Sequence, residues 1–176
     1  MNSLDELTQK LLECNSMFSS YENESDRAAA ILVTCYIETY LEECLKFILV
    51  DDPSIDKLFK GTAPLSTLSA RIDMAFALGI ITEEIRKNLK NIGKIRNKFA
   101  HEPTVTSFAG SPVRDLCLNF SILEKYEDGT TRNVAEDVPE LRKKFLHVAG
   151  LCILGLHSIT RNQPKRTIPG KSLGKN

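Results

Sequence analysis

Six consecutive residues, Arg96-Asn97-Lys98-Phe99-Ala100-His101, place a permanent cation, an amide and an imidazole side by side. Such a set can hold a phosphate and move a proton. The guanidinium stabilises the anion, and the imidazole serves as acid or base. Helix geometry limits how. Five residues of regular α-helix turn the chain by about 500°, so Arg96 and His101 project about 140° apart. Asn97 and His101, four apart, share a face. An Arg–His site therefore requires either that the helix unwind before Pro103 or that two chains pair across a shared cleft. The alternative is architectural. Arg96 lies near the Ile85–Leu89–Ile92 stripe, where Asp26 or Asp73 could neutralise it. His101 could sit at a helix C-terminus, where a cation is favoured.

Ser69-Ala70-Arg71-Ile72-Asp73 is a second polar knot, set in an apolar helix. Arg71 and Asp73 are two apart, so they face different ways and seek different partners; a buried ion-pair network is the expected role, ahead of ligand contact. Glu38, Glu42 and Glu43 read as a solvated face, because no His stands at the spacing that carboxylate-bridged metal sites use. No metal and no cofactor is expected. His147 and His157 are ten apart, about 80° off each other around a helix, and read as edge or core residues. The five cysteines (Cys14, Cys35, Cys44, Cys117, Cys152) are an odd number without Cys-x-x-Cys spacing. They read as small buried hydrophobes in a reducing compartment. The sequence has no glycine-rich phosphate loop, no Gly-x-Ser-x-Gly elbow, no zinc motif, no clear helix-turn-helix and no aromatic–basic interleaving suited to single strands.

Formal net charge is zero, but charge is segregated. Twelve acids face five bases from Met1 to Lys60, whereas Arg86 to Lys98 holds six bases and no acid, and the chain from Arg161 onward holds five bases and no acid. That balance excludes a general DNA-coating role. It leaves local capacity for a small anionic ligand or an RNA phosphate, beside the plainer reading that the basic helix face is simply solvated. The N-terminus lacks a basic region followed by an apolar run, so a cytoplasmic protein without a signal peptide is expected. The greasiest run, Val148 to Leu156, is far short of the roughly 20 residues a membrane span requires, which makes it a core helix; no membrane partner is expected.

These residues must be positioned by helices. The hydrophobic periodicity predicts a first helix from Met1 to about Ser20, capped by Ser3, and a long second one from Ser25 to Val50, capped by Ser25 and ended by Asp52-Pro53. A short turn at Asp56–Phe59 precedes Gly61. A third helix is expected from Leu65 to Leu78, closed by Gly79. A fourth starts at the Thr82 cap, buries Ile85, Leu89, Ile92, Ile95 and Phe99, and stops at Pro103. Ser111-Pro112 reads as a cap and first helical residue. Residues 113–123 stay open between helix and strand, because Leu116, Leu118, Phe120 and Ile122 alternate. Tyr126 to Glu136 is turn-like. Asp137-Val138-Pro139-Glu140 predicts the start of a final central helix running to Arg161. The expectation is an all-α compact single-domain bundle of five to seven helices over residues 1–161, with a basic, disordered tail over 162–176.

Four segments together resemble the mannitol operon repressor (MltR) family: Ser25-Asp-Arg-Ala-Ala-Ala-Ile-Leu32, Leu58-Phe-Lys-Gly61, Pro64-Leu-Ser-Thr-Leu-Ser-Ala-Arg-Ile-Asp73, and Gly79-Ile through Ile95-Arg-Asn-Lys-Phe-Ala-His101. The resemblance covers Met17 to His101 and then weakens. It implies a compact helical fold and a non-enzymatic role in transcriptional control of sugar-alcohol uptake, exerted through a partner protein or ligand. The Arg-x4-His element also resembles the HEPN superfamily of helical dimers, many of them metal-independent ribonucleases. That likeness implies a HEPN-like bundle, a homodimer and the alternative of RNA cleavage by Arg96 and His101. Asn97, Arg71, Asp73, Asp26 and Arg27 are the candidates for a ligand-binding or structural polar network.

Overall fold

The computed structural model of the chain describes residues 3–21, 23–125, 130–162 and 166. Among these it contains six α-helices: α1 (Ser3–Ser20), α2 (Asp26–Ile48), α3 (Leu68–Ala77), α4 (Glu83–His101), α5 (Val113–Leu118) and α6 (Leu141–Arg161). The fold is all-α, with one addition, a small antiparallel hairpin of β1 (Leu123–Lys125) and β2 (Thr131–Asn133), in which Leu123 pairs with Asn133 and Lys125 with Thr131. Two short 3-10 turns, Ile55–Phe59 and Val134–Asp137, complete the described elements.

Local signals set most of the helix boundaries. Ser25, Thr67 and Thr82 each accept a hydrogen bond from the backbone N–H three residues on (Ala28, Ala70 and Ile85), satisfying one of the orphan donors of a helix start. Gly79 (φ 72°) takes the left-handed conformation that closes α3, and Gly61 (φ 60°) does the same beyond the first 3-10 turn. α3 starts three residues later than the periodicity predicts, because Thr67 rather than Leu65 precedes the first free turn.

Two expectations need correction and one open choice is resolved. Ser111 does not cap α5: Pro112 occupies the cap position, and the Ser111 hydroxyl donates to Asp115 Oδ2 (2.9 Å). Residues 113–123 are both helix and strand in succession, with α5 ending at Leu118 and β1 beginning at Leu123. Asp137 does not cap α6, which begins at Leu141 after Glu140. Asp137 ends a 3-10 turn and pairs with Arg132 (2.5 Å). The expected turn at Asp128-Gly129, and most of the expected tail, lie outside the described residues. Of the tail, Asn162 follows α6 and the Arg166 N–H donates to Ile48 O (3.3 Å).

α2 and α6 share the centre, as expected for the final helix: α2 packs on α3, α4 and α6, and α6 packs on α1, α2, α4 and α5. Of the predicted seam of α4, Leu89, Ile92, Ile95 and Phe99 are fully buried, while Ile85 is half-buried. An aromatic chain then ties α4 to α6 through the connecting segment. Phe99 meets Phe108 edge-on (5.0 Å between centroids), Phe108 meets Phe145 (5.0 Å), and Phe145 meets Phe120 (6.4 Å). Val148, Ala149, Cys152, Ile153 and Leu156 of α6 are fully buried, as a helix apolar on most sides must be. All five cysteines are free. Four are buried, with burial pushing the Cys117 thiol up to about 12, while Cys35 is exposed. No described helix is long and apolar enough to cross a membrane.

α6 also carries the most unusual buried polar group. His157 is buried, and its Nδ1 lies 2.5 Å from the Tyr40 hydroxyl. Burial, and secondarily the Arg161 and Lys10 charges, hold its pKa below the ordinary value of 6.5. The unfolded chain therefore binds a proton that the folded chain refuses, and stability falls as pH drops through the unfolded histidine range. Calorimetric melting between pH 7.5 and 5 is expected to show a decline in Tm that the His157→Gln variant flattens; an equal decline in both proteins would assign the acid sensitivity elsewhere.

Candidate anion-binding cleft on the fourth helix

α4 holds both halves of its charge where the helix dipole favours them, Glu83 and Glu84 in the first turn and Lys98 and His101 in the last. Of the six bases from Arg86 to Lys98, three have carboxylate partners. Arg86 Nη2 and Lys90 Nζ both reach Asp73 Oδ1 (2.8 and 2.7 Å), and Lys98 Nζ reaches Glu102 Oε1 (2.6 Å). The Lys90 and Arg86 hydrogen bonds hold the Asp73 carboxyl below its usual range. Among the described residues no carboxylate engages Lys87, Lys94 or Arg96.

Arg96 is half-buried, and with Asn97 it lines an open cleft of about 340 Å³ between the start of α3 and the middle of α4. Thr67, Leu68, Ser69 and Ile72 form one wall; Lys90, Gly93, Lys94, Arg96 and Asn97 form the other. Asp26 and Asp73 were the carboxylates expected to neutralise Arg96, and neither does, because each is committed elsewhere. Asp73 is taken by Lys90 and Arg86, while Asp26 accepts from the Phe108 N–H (2.9 Å) and pairs with Arg142 (3.1 Å). Lys90, Gly93, Lys94 and Asn97 recur at helical spacing, and His101, four residues beyond Asn97, extends the same stripe as an exposed side chain outside the cleft lining.

α4 remains regular to His101, with Glu102 as its C-cap residue donating to Lys98 O (3.0 Å). Unwinding before Pro103 therefore does not bring Arg96 and His101 together, which leaves only a second chain to do so. The segment just after His101 is fixed by Arg27, whose Nη2 donates to the carbonyls of Glu102 (3.3 Å), Pro103 (3.1 Å) and Val105 (2.9 Å). Asp26 and Arg27 are thus adjacent anchors at the start of α2, serving the backbone that follows α4.

Arg71 stands apart from this cleft. It is buried, and its guanidinium donates to Leu65 O (2.8 Å), Glu38 O (3.0 Å) and Phe59 O (3.3 Å) while pairing with Glu42 (3.0 Å) and, more loosely, Glu38 (3.9 Å). Arg71 and Asp73 do face different ways. Glu38 and Glu42, read from sequence as a solvated face, are instead the acidic side of the Arg71 network, and Glu42 also pairs with Lys46 (2.7 Å). Among the described residues no cluster of His, Cys, Asp or Glu could hold a metal ion. Sequence reasoning missed Thr67 and Gly93 as cleft residues and treated Lys90 and Lys94 only as part of a basic face. The cap signal at Thr67, just ahead of an apolar helix, was the available clue.

Fold and site together define an all-α protein with one basic helix face gathered around an open cleft. The family model described as mannitol repressor matches residues 47–147, more than half of the 176 residues, and the chain belongs to that family, whose role is regulatory and repressor-like. The match extends well past His101, where the resemblance was expected to weaken, and leaves Ser25–Leu32 outside. No curated protein and no solved structure shows significant similarity to the chain.

Proposed function

We propose that this protein is a non-enzymatic transcriptional regulator of sugar-alcohol uptake that acts through a partner protein or a small ligand, and not through a helix docked in DNA. The observation that supports this most is the order of charge along α4. A recognition helix enters the major groove by its N-terminal residues. The first turn of α4 carries Glu83 and Glu84, which repel phosphate, and two of its three cations without a carboxylate partner, Lys94 and Arg96, lie in the later half beside the cleft. The test is a deletion strain grown on sugar alcohols, combined with a gel-shift assay on the regulated promoter. Altered operon expression is expected in the strain, with no retarded DNA for the purified chain alone. Unchanged expression would remove the regulatory role, and a shift by the chain alone would remove the indirect mechanism.

A second reading draws on Arg96 having no carboxylate partner and His101 being exposed on the same helix. In a homodimer of the HEPN type, Arg96 of one chain and His101 of the other would act on one RNA phosphate. His101 would move the proton of an attacking ribose 2′-hydroxyl and Arg96 would stabilise the anion, without metal. Overexpression is then toxic, and His101→Ala abolishes both toxicity and RNA cleavage; retention of either by the variant would end this reading.

A further inference from the structure

We propose that the cleft between α3 and α4 binds the phosphate group of a small phosphomonoester, and that this is the ligand class to which the regulator responds. The proposal rests on the ligand-dependent reading above and specifies its site.

Three observations converge on one cavity. The charge of its lining has a single sign: Lys90, Lys94 and Arg96 contribute cations, Thr67, Ser69 and Asn97 contribute neutral polar groups, and no carboxylate lines it. Asp73 neutralises Lys90 from outside that lining, so Lys94 and Arg96 are the charges left for a ligand. A dianion is the occupant that such a set favours. Lys supplies a point charge, and the guanidinium of Arg96 offers the fork that engages two phosphate oxygens at once.

The opposite wall adds donors of a second kind. Leu68 and Ser69 are the first two residues of α3, so their backbone N–H groups have no acceptor within the helix. Thr67 already satisfies the Ala70 N–H (3.2 Å), and Leu68 and Ser69 line the same cleft as the cations. The two walls are complementary, because the donors of α3 are fixed by backbone and those of α4 are carried on long side chains.

The third observation is room. Gly93 stands at the centre of the cationic wall, where an added Cβ would come within 3.3 Å of Leu68 Cδ2. The missing side chain lets Leu68 of α3 pack close against α4 at this point. Its volume of about 340 Å³ lies at the small end of ligand pockets. Leu68 and Ile72 give it an apolar floor for a short carbon skeleton. A polynucleotide would require cations tracking along a strand. Here the Lys90–Asn97 patch is about two turns long and is bordered on one side by Glu83 and Asp73, which fits one phosphate and not a chain of them.

The test is titration calorimetry on the full chain at constant ionic strength, with glycerol 3-phosphate, inorganic phosphate, glycerol and a short RNA oligonucleotide as probes. Glycerol 3-phosphate is expected to bind at millimolar concentration or tighter, inorganic phosphate to compete with it, and glycerol to give no heat. The Lys94→Gln/Arg96→Gln double variant should bind at least about tenfold more weakly. Lys87→Gln removes an equally unpaired charge of α4 outside the cleft and should bind normally. Gly93→Val should close the site, with thermal melting confirming that the variant folds. The proposal is overturned by absence of heat with both phosphates, by equal weakening in Lys87→Gln and the double variant, or by binding of the oligonucleotide in place of the phosphomonoester. Its failure is separable from that of the regulatory reading, since altered operon expression in the deletion strain does not depend on the identity of the ligand.

Discussion

Replacing Arg71 with leucine is expected to lower the melting temperature by roughly 6–12 °C. Removing one member of a buried charge network costs about 3–5 kcal/mol, and the lower end applies because the carboxylate left behind retains solvent. For a domain of this size each kcal/mol shifts Tm by about 2–4 °C. The loss has two parts. The carbonyls of Leu65, Phe59 and Glu38 lose a donor that reaches all three, and Glu42, about a quarter exposed, keeps Lys46 as its remaining partner. Arg71→Lys restores charge without the planar fork and should recover only part of the deficit. The measurement is differential scanning calorimetry on the three proteins. A drop of less than about 2 °C for the leucine variant would mean that water replaces the guanidinium at these carbonyls without cost.

Phe145→Ala should cost about 3–5 kcal/mol, the range for emptying a large aromatic from a close-packed interior. Phe145 is fully buried and stands between Phe108 and Phe120, so its removal opens a void where the segment after α4 meets α6. The variant should show a lower urea midpoint with an unchanged slope. Phe145→Leu, which refills most of the volume, should be far milder. Equal losses for alanine and leucine would place the energy in ring–ring geometry rather than in filled space.

Much of the fold was legible because its signals are local. Thr82, Gly79 and the Ile85–Phe99 seam specify α4 within its own sequence, and α4 is where the sequence placed it. Ser25 and Gly61 behave likewise. The misreadings concern residues whose expected role was outbid by another partner. Asp137 has the residue type and the neighbouring proline of a helix cap, yet its carboxylate is held by Arg132, five residues back, and the chain stays out of helix until Leu141. Glu38 and Glu42 sit four apart on α2, as a solvated pair would, but which helix that face meets is a matter of packing, and Arg71 meets it. The site was legible in part. The Arg96–Asn97–His101 spacing pointed to the helix that lines the cleft, with Arg96 and Asn97 in the lining and His101 beyond it. That Lys90 and Lys94 share a cavity with Thr67 and Ser69 depends on how α3 crosses α4, which no periodicity records.

The grip of Arg27 on the carbonyls of Glu102, Pro103 and Val105, with Asp26 holding the Phe108 N–H beside it, bears on how the molecule can be divided. The stretch by which the family is recognised begins at Phe47, after both anchors and after most of α2. A fragment cut to that stretch would lack the buried Val33, Ile37, Leu41 and Leu45 of a helix that packs on α3 and α4, together with α6 beyond His147. Expressed alone, it would present an unfilled trough to its neighbours and accumulate as insoluble material. The part that identifies this family is therefore narrower than the part that must be made together.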